Sequence, residues 1–276
     1  MTVDIEIICV GNELLIGKVL NTNASWLGKQ ATSLGVAVKR ITVVADDVEE
    51  MAAVFLEVLV RKPKFAISTG GLGPTFDDKT LEGVAKALNC RLAVNQEALC
   101  MVNAKYEEYA KKRNIPEGEM TPPRVKMAKL PEGTKPVLNP VGTAPGVRVD
   151  VNGTVLFVLP GVPKEMEAIF EASIVPLLRK AAGDVGFYEF SIYANNIMES
   201  SLAPLIDKVM QDNPPVYIKS HPKGRENRPH MELHLSLTGK PSENPQKCLS
   251  KAALELTDFI GRAGGEVVKA ETKVNI

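Results

Sequence analysis

One pattern constrains this chain more than any other. Short β-branched apolar runs recur, each stops at a turn of glycines or acids, and a segment of helical period follows. IEIICV (5–10) stops at Gly11, VAVKRITVV (36–44) at Asp46-Asp47, and KFAIST (64–69) runs straight into GGLGPT. Runs this short and this apolar are buried strands. Between them, Leu27, Ala31 and Leu34 fall at i, i+4, i+7 before Gly35. Asp47 and Glu50 resemble a capping box ahead of Met51, Phe55 and Val58, and Leu81, Val84, Ala85 and Leu88 form a third stripe. Strand and helix in strict alternation predict an α/β fold whose mostly parallel sheet is joined by right-handed crossovers.

The spacing predicts another helix over 96–112, with Leu99, Val102, Tyr106 and Tyr109 on one face. A proline-rich stretch (Pro116, Pro122, Pro123, Pro131, Pro136, Pro140) follows as a long connection carrying NPVGTAPG. TVLFVLPG (154–161) is a further core strand, and VPKEMEAIFEASIVPLLRK a helix with Pro163 in its first turn. AAGDVG (181–186) reads as a linker. Beyond it the order changes to βαββαβ, the split βαβ or ferredoxin-like pattern of a smaller α+β domain. The expected domains are therefore 1–182 and 187–276, without an internal repeat.

Lys and Arg together number 33, as do Asp and Glu, so there is no bulk positive field for nucleic acid or an anionic membrane. A small molecule held by a local site is the expected partner. Four scattered cysteines without a CxxC pair read as reduced thiols. The N-terminus has no cationic leader, and no apolar run approaches the ~20 residues that span a bilayer. A cytoplasmic protein is expected.

Gly70, Gly71, Gly73 and Thr75 lie in a loop between a strand and a helix, where backbone N–H groups converge on an anion. The spacing is neither GxGxxG nor a Walker loop. Asp77 and Asp78 follow. By themselves such acids merely favour a helix dipole; beside a phosphate they supply hard oxygen ligands for Mg²⁺ or a similar cation. Asp46 and Glu13 reach the same sheet edge after other strands, whereas Asp47 has an N-cap to occupy it. Asn21, Thr22 and Asn23 either cap the first helix or touch ligand. LPGVPKEM places Gly161, Lys164 and Glu165 at another strand end, Lys164 being suited to neutralise phosphate or simply solvated. Gly142 and Thr143 belong to a further loop at the ligand. His230, Glu232 and His234 alternate along one strand opposite Met231, Leu233 and Leu235, so theirs is read as the exposed face.

Taken together, GNELLIGKVLNTNA, ADD (45–47), STGGLGPTFDDKTLEGVAKAL, NPVGTAPG and LPGVPKEM resemble the N-terminal domain of the CinA-type proteins. These lie within the superfamily of MogA, MoaB and gephyrin molybdopterin-binding domains. The resemblance implies a Rossmann-like three-layer domain that uses a divalent metal (Mg, Mn, Co or Ni). It implies a nucleotide pyrophosphatase that hydrolyses ADP-ribose or a related dinucleotide to AMP. It also implies a homo-oligomer. The alternatives are pterin phosphate binding or adenylyl transfer in molybdenum cofactor biosynthesis, and a non-catalytic nucleotide-binding protein. Carried over, Asp46 and Asp78 are the metal carboxylates, with Asp77 beside them, and Gly70, Gly71 and Gly73 form the loop. Asn12 stands where many members have Asp. The C-terminal deamidase domain of longer members is not expected here.

Overall fold

A computed structural model describes residues 3–114, 119–223 and 230–273; Pro116 of the proline-rich stretch lies outside them. The chain divides into two units, Met1–Thr32 with Val36–Ala181, and Ser33–Gly35 with Ala182–Ile276.

The first unit begins β1 (Asp4–Val10), α1 (Asn12–Leu15), α2 (Thr22–Ser33), β2 (Ala37–Val44), α3 (Val48–Arg61), β3 (Phe65–Thr69) and α4 (Thr80–Ala87). It continues with β4 (Leu92–Val94), α5 (Gln96–Arg113), α6 (Pro122–Lys126), β5 (Lys129–Pro131), β6 (Lys135–Val137), β7 (Gly146–Val151) and β8 (Thr154–Leu159). It ends on α7 (Pro163–Ile169) and α8 (Val175–Ala182). Six strands form one sheet in the order β2-β1-β3-β8-β7-β6. The first four are parallel, with Ile7 paired to Ile41 and Ile67, and Ile67 to Phe157. Successive side chains of a strand face opposite ways, yet Ile5, Ile7, Ile8, Cys9 and Val10 are all buried. Both faces of the sheet are therefore covered, as parallel sheets require. Ile8, Val10, Ala66, Leu156 and Val158 share one core with Met51, Phe55, Val58 and Val84 from α3 and α4.

Several elements differ from the sequence reading. The proline-rich connection contains α6, β5, which pairs antiparallel with β4 from ahead of α5, and β6, which runs antiparallel to β7. β7 in turn pairs antiparallel with β8 through a turn in which Asn152 and Gly153 both take positive φ, 50° and 88°. Asn-Gly is the preferred dipeptide for that hairpin turn. The buried side of α5 is Ala98, Val102 and Ala110; Tyr109 is exposed, with Arg113 over its ring. Small alanines let the helix sit close, and the tyrosine turns to solvent. Between α7 and α8, Phe170–Ile174 form a π-helical turn, which accommodates the missing N–H of Pro176.

The second unit is β9 (Gly186–Asn195), α9 (Glu199–Asp212), β10 (Tyr217–Pro222), β11 (His230–Gly239), α10 (Pro245–Arg262) and β12 (Glu266–Lys273). Its antiparallel order, β10-β11-β9-β12, is the ferredoxin-like arrangement the element order predicts. Leu233 and Leu235 join Leu202, Val209, Leu256 and Ile260 in its core. The histidine face is half-buried rather than exposed. His230 stacks on Tyr193 and contacts Asn195, while His234 pairs with Glu189 at 2.9 Å. Among the described residues no helix is long and apolar enough to cross a membrane.

Candidate functional site

The carboxyl ends of β1, β3 and β8 open into a cleft of about 480 Å³. This is where open α/β sheets bind ligands, and the volume suits a small molecule. The cleft is bounded by the β3–α4 loop, by residues after β1 and β2, and by the turn after β8.

The β3–α4 loop is held by its own side chains. Gly70 and Gly71 take φ of 111° and 67°, and a Cβ on them would stand 2.3 Å from Val10 O and 2.2 Å from Thr80 Oγ1. Only glycine fits both the dihedrals and the space. Thr80, fully buried, donates its hydroxyl to Gly70 O at 2.8 Å and its N–H to Gly71 O at 3.3 Å. At the far end the Asp78 carboxylate accepts from Thr75 N at 2.9 Å and from Thr75 Oγ1 at 2.5 Å. Gly70 gives its N–H to Leu159 O. Gly70 and Thr75 thus spend their donors within the fold, which leaves the 71–73 segment to meet an anion. Asp77 and Asp78 precede α4, whose N-cap is Lys79, so they are loop residues and not first-turn acids. The Thr75 hydroxyl beside it, its own backbone N–H and the charges of Lys126 and Lys79 hold the Asp77 carboxyl below the usual carboxylate range.

Asp46 is clasped to Asn12. Asn12 N donates to Asp46 Oδ2 at 2.8 Å, and Asp46 N to Asn12 Oδ1 at 3.4 Å. Asp47 caps α3 by accepting from Glu49 N and Glu50 N. Asn21 caps α2 through Ala24 N at 3.0 Å, whereas Asn23 crosses to the sheet. Asn23 donates to Thr69 Oγ1 at 3.0 Å and Gly161 O at 2.8 Å, and its Oδ1 is buried without a hydrogen-bond partner. Burial pushes the Cys9 thiol up, against a hydrogen bond with Asn21, so the thiol is a neutral wall of the cleft.

The structure brings Glu13, Asp46, Gly70, Gly71, Gly73, Asp77, Asp78, Thr143, Gly161 and Glu165 to this one cleft. Thr75, Gly142 and Lys164 do not line it: Thr75 serves Asp78, Gly142 gives its N–H to Asn139, and Lys164 is exposed on the first turn of α7. The sequence reading passed over three residues. Asn139 is buried and organises the 140–146 loop, accepting from Val141 N and Gly142 N and donating to Ala144 O and Glu165 Oε2. It opens NPVGTAPG, so the motif contained it. Thr80 follows the paired acids directly. Lys126 belongs to no motif, yet its ammonium donates to the carbonyls of Thr75 and of Asp78, the latter at 2.7 Å.

A metal requires a donor set. The carboxylates here are hard oxygens, which suit Mg²⁺ or Mn²⁺. Among the described residues no three His, Cys, Asp or Glu side chains converge, so the site does not fit a closed protein cage. A cation here would be held by one or two carboxylates and completed by phosphate and water.

The fold and the cleft define an α/β domain that takes its ligand at the carboxyl edge of a parallel sheet. Residues 6–180 match the family described as "Probable molybdopterin binding domain", and the chain belongs to that family. A protein of Pyrobaculum arsenaticum is 46% identical over 263 residues, covering 95% of this chain and 96% of its own. One of Metallosphaera sedula is 43% identical over 243 residues, covering 88% and 87%. The crystal structure of CinA from Thermoplasma acidophilum, described as of unknown function, is 42% identical with a TM-score of 0.56. It covers 63% of this chain and 98% of its own.

Proposed function

We propose that the cleft binds a nucleotide diphosphate and hydrolyses it, with ADP-ribose or a related dinucleotide as substrate and AMP as product. The observation that carries this reading is the Gly70–Gly73 loop, whose Gly70 and Gly71 leave no room for a Cβ, sharing one cleft with Asp46 and Asp78. The loop backbone receives a phosphate, and Val19, Leu20 and Val162, all about half exposed or more, offer an apolar lip for a ring. Asp46 and Asp78 would hold a divalent cation, which when bound supplies positive charge to phosphate oxygens and an acidified water. Asn139 fixes Glu165, and Asn23 fixes the Gly161 turn, so the remaining walls are set before ligand arrives. Family membership favours a second reading, in which the same cleft holds a pterin phosphate.

The test is a panel of ADP-ribose, FAD, NADH and diadenosine polyphosphates with Mg²⁺, Mn²⁺, Co²⁺ or Ni²⁺, scored for AMP release. AMP from ADP-ribose, abolished by chelation, is the expected result. Equal turnover after exhaustive chelation removes the metal, and tight pterin binding without hydrolysis favours the second reading.

A further inference from the structure

Lys126 stands behind the glycine loop. It lines a second cavity of about 660 Å³, which shares Gly71, Leu72, Gly73, Pro74, Asp78 and Met127 with the cleft and adds Phe76, Leu81 and Lys126 itself. The half-buried side chain comes from the last residue of α6. That helix is anchored independently: Arg124 lies over the Tyr106 ring at 3.8 Å, and the next two residues, Met127 and Ala128, are buried in the core. The ammonium is therefore delivered to a fixed place, where it donates to the carbonyls of Thr75 and Asp78.

Two consequences follow from elementary chemistry. The peptide unit is planar and trans, so a carbonyl directed at Lys126 sends the next N–H the opposite way. Lys126 thus sets the direction of two peptide planes, Thr75–Phe76 and Asp78–Lys79, away from itself. Its charge also offsets two adjacent carboxylates that would otherwise repel each other and an incoming anion. Two of its three N–H donors go to these carbonyls, and Lys126 does not line the cleft.

We propose that Lys126 is a positioning residue: it clamps the 75–78 turn from behind and so holds the glycine loop and the Asp78 carboxylate in the conformation that accepts a phosphorylated ligand. The ligand half of this proposal rests on the reading of the cleft given above; the conformational half does not.

Both halves are measured on the full chain with Lys126→Met, which keeps the stem and removes the charge, and Lys126→Arg, which restores donors. Without ligand, exchange of the Thr75 and Asp78 amides should quicken at least about tenfold in Lys126→Met, while the β3 amides keep their protection. Lys126→Arg should return these rates toward wild type. A general loss of stability would instead quicken β3 as well and leave no rescue by arginine. With ligand, Lys126→Met should bind ADP-ribose and AMP at least about tenfold more weakly, read by calorimetry. Unchanged exchange in Lys126→Met overturns the clamp, and so does undiminished binding. Wild type that binds neither probe overturns the reading of the cleft, and the exchange data still decide the clamp.

Discussion

Asn139 illustrates how a single buried amide builds a ligand-side loop. It satisfies two backbone N–H groups, one carbonyl and one oxygen of Glu165, with every contact between 2.7 and 3.1 Å. Asn139→Leu leaves those groups buried without partners, at a cost of about 2–4 kcal/mol. The urea midpoint of the first unit should fall accordingly, and Gly142 and Thr143 should become mobile on the NMR timescale. A midpoint within experimental error of wild type would show that solvent replaces the amide. Asp78 would have a comparable double role, since the carboxylate proposed to hold a cation also closes the Thr75 turn. An Asp78→Asn variant therefore has to be compared with the Lys126 variants before its loss of activity is assigned to chemistry.

At the scale of elements, the β7–β8 hairpin turns a parallel sheet into a mixed one. Its turn depends on Asn152 and Gly153 at positive φ. Nothing lies within 4 Å of a Cβ built on Gly153, so a substitution there meets no clash and tests backbone strain alone. Gly153→Ala should destabilise by about 1–2 kcal/mol, the penalty of the left-handed region for an L-residue. Denaturation of the variant measures it; a neutral result would mean that the turn relaxes to another type. The same element logic explains the clamp, because α6 positions Lys126 only through its anchor on α5 and the core.

For the whole molecule, every residue lining the cleft lies between Cys9 and Glu165, within the first unit. The three histidines of the chain, His221, His230 and His234, all belong to the second. Burial raises the Glu232 carboxyl, but Lys223, Ser191 and Tyr193 outweigh that and hold it low, so this face is an internally satisfied polar network. The double variant His230→Ala/His234→Ala should leave ADP-ribose turnover within about twofold. A fall beyond about tenfold, equivalent to about 1.4 kcal/mol of barrier, would place part of the active site in the second unit. Because both side chains are half-buried and bonded, that comparison is made well below the variant's melting temperature.

The strands and helices of the parallel half were legible in the sequence because the signal is local. A run such as IEIICV, buried on both faces, or the Met51–Phe55–Val58 stripe, records its burial in its own spacing. The acids and glycines that end those runs were legible for the same reason, since parallel strands deliver their carboxyl ends to one edge. What the sequence could not determine was which distant group each of them meets. Asp46 clasps Asn12 across 34 residues, and Lys126 reaches the Thr75 carbonyl across 51. Lys164, beside a promising Pro-Gly turn, stands outside the cleft. β6 was hidden in a proline-rich stretch, because its pairing depends on β7 and not on any period of its own. Hydrophobic period fixes an element and its buried side at the cost of a few neighbouring residues. The partner of a polar side chain is chosen by the geometry of the packed chain, and only tertiary structure contains that choice.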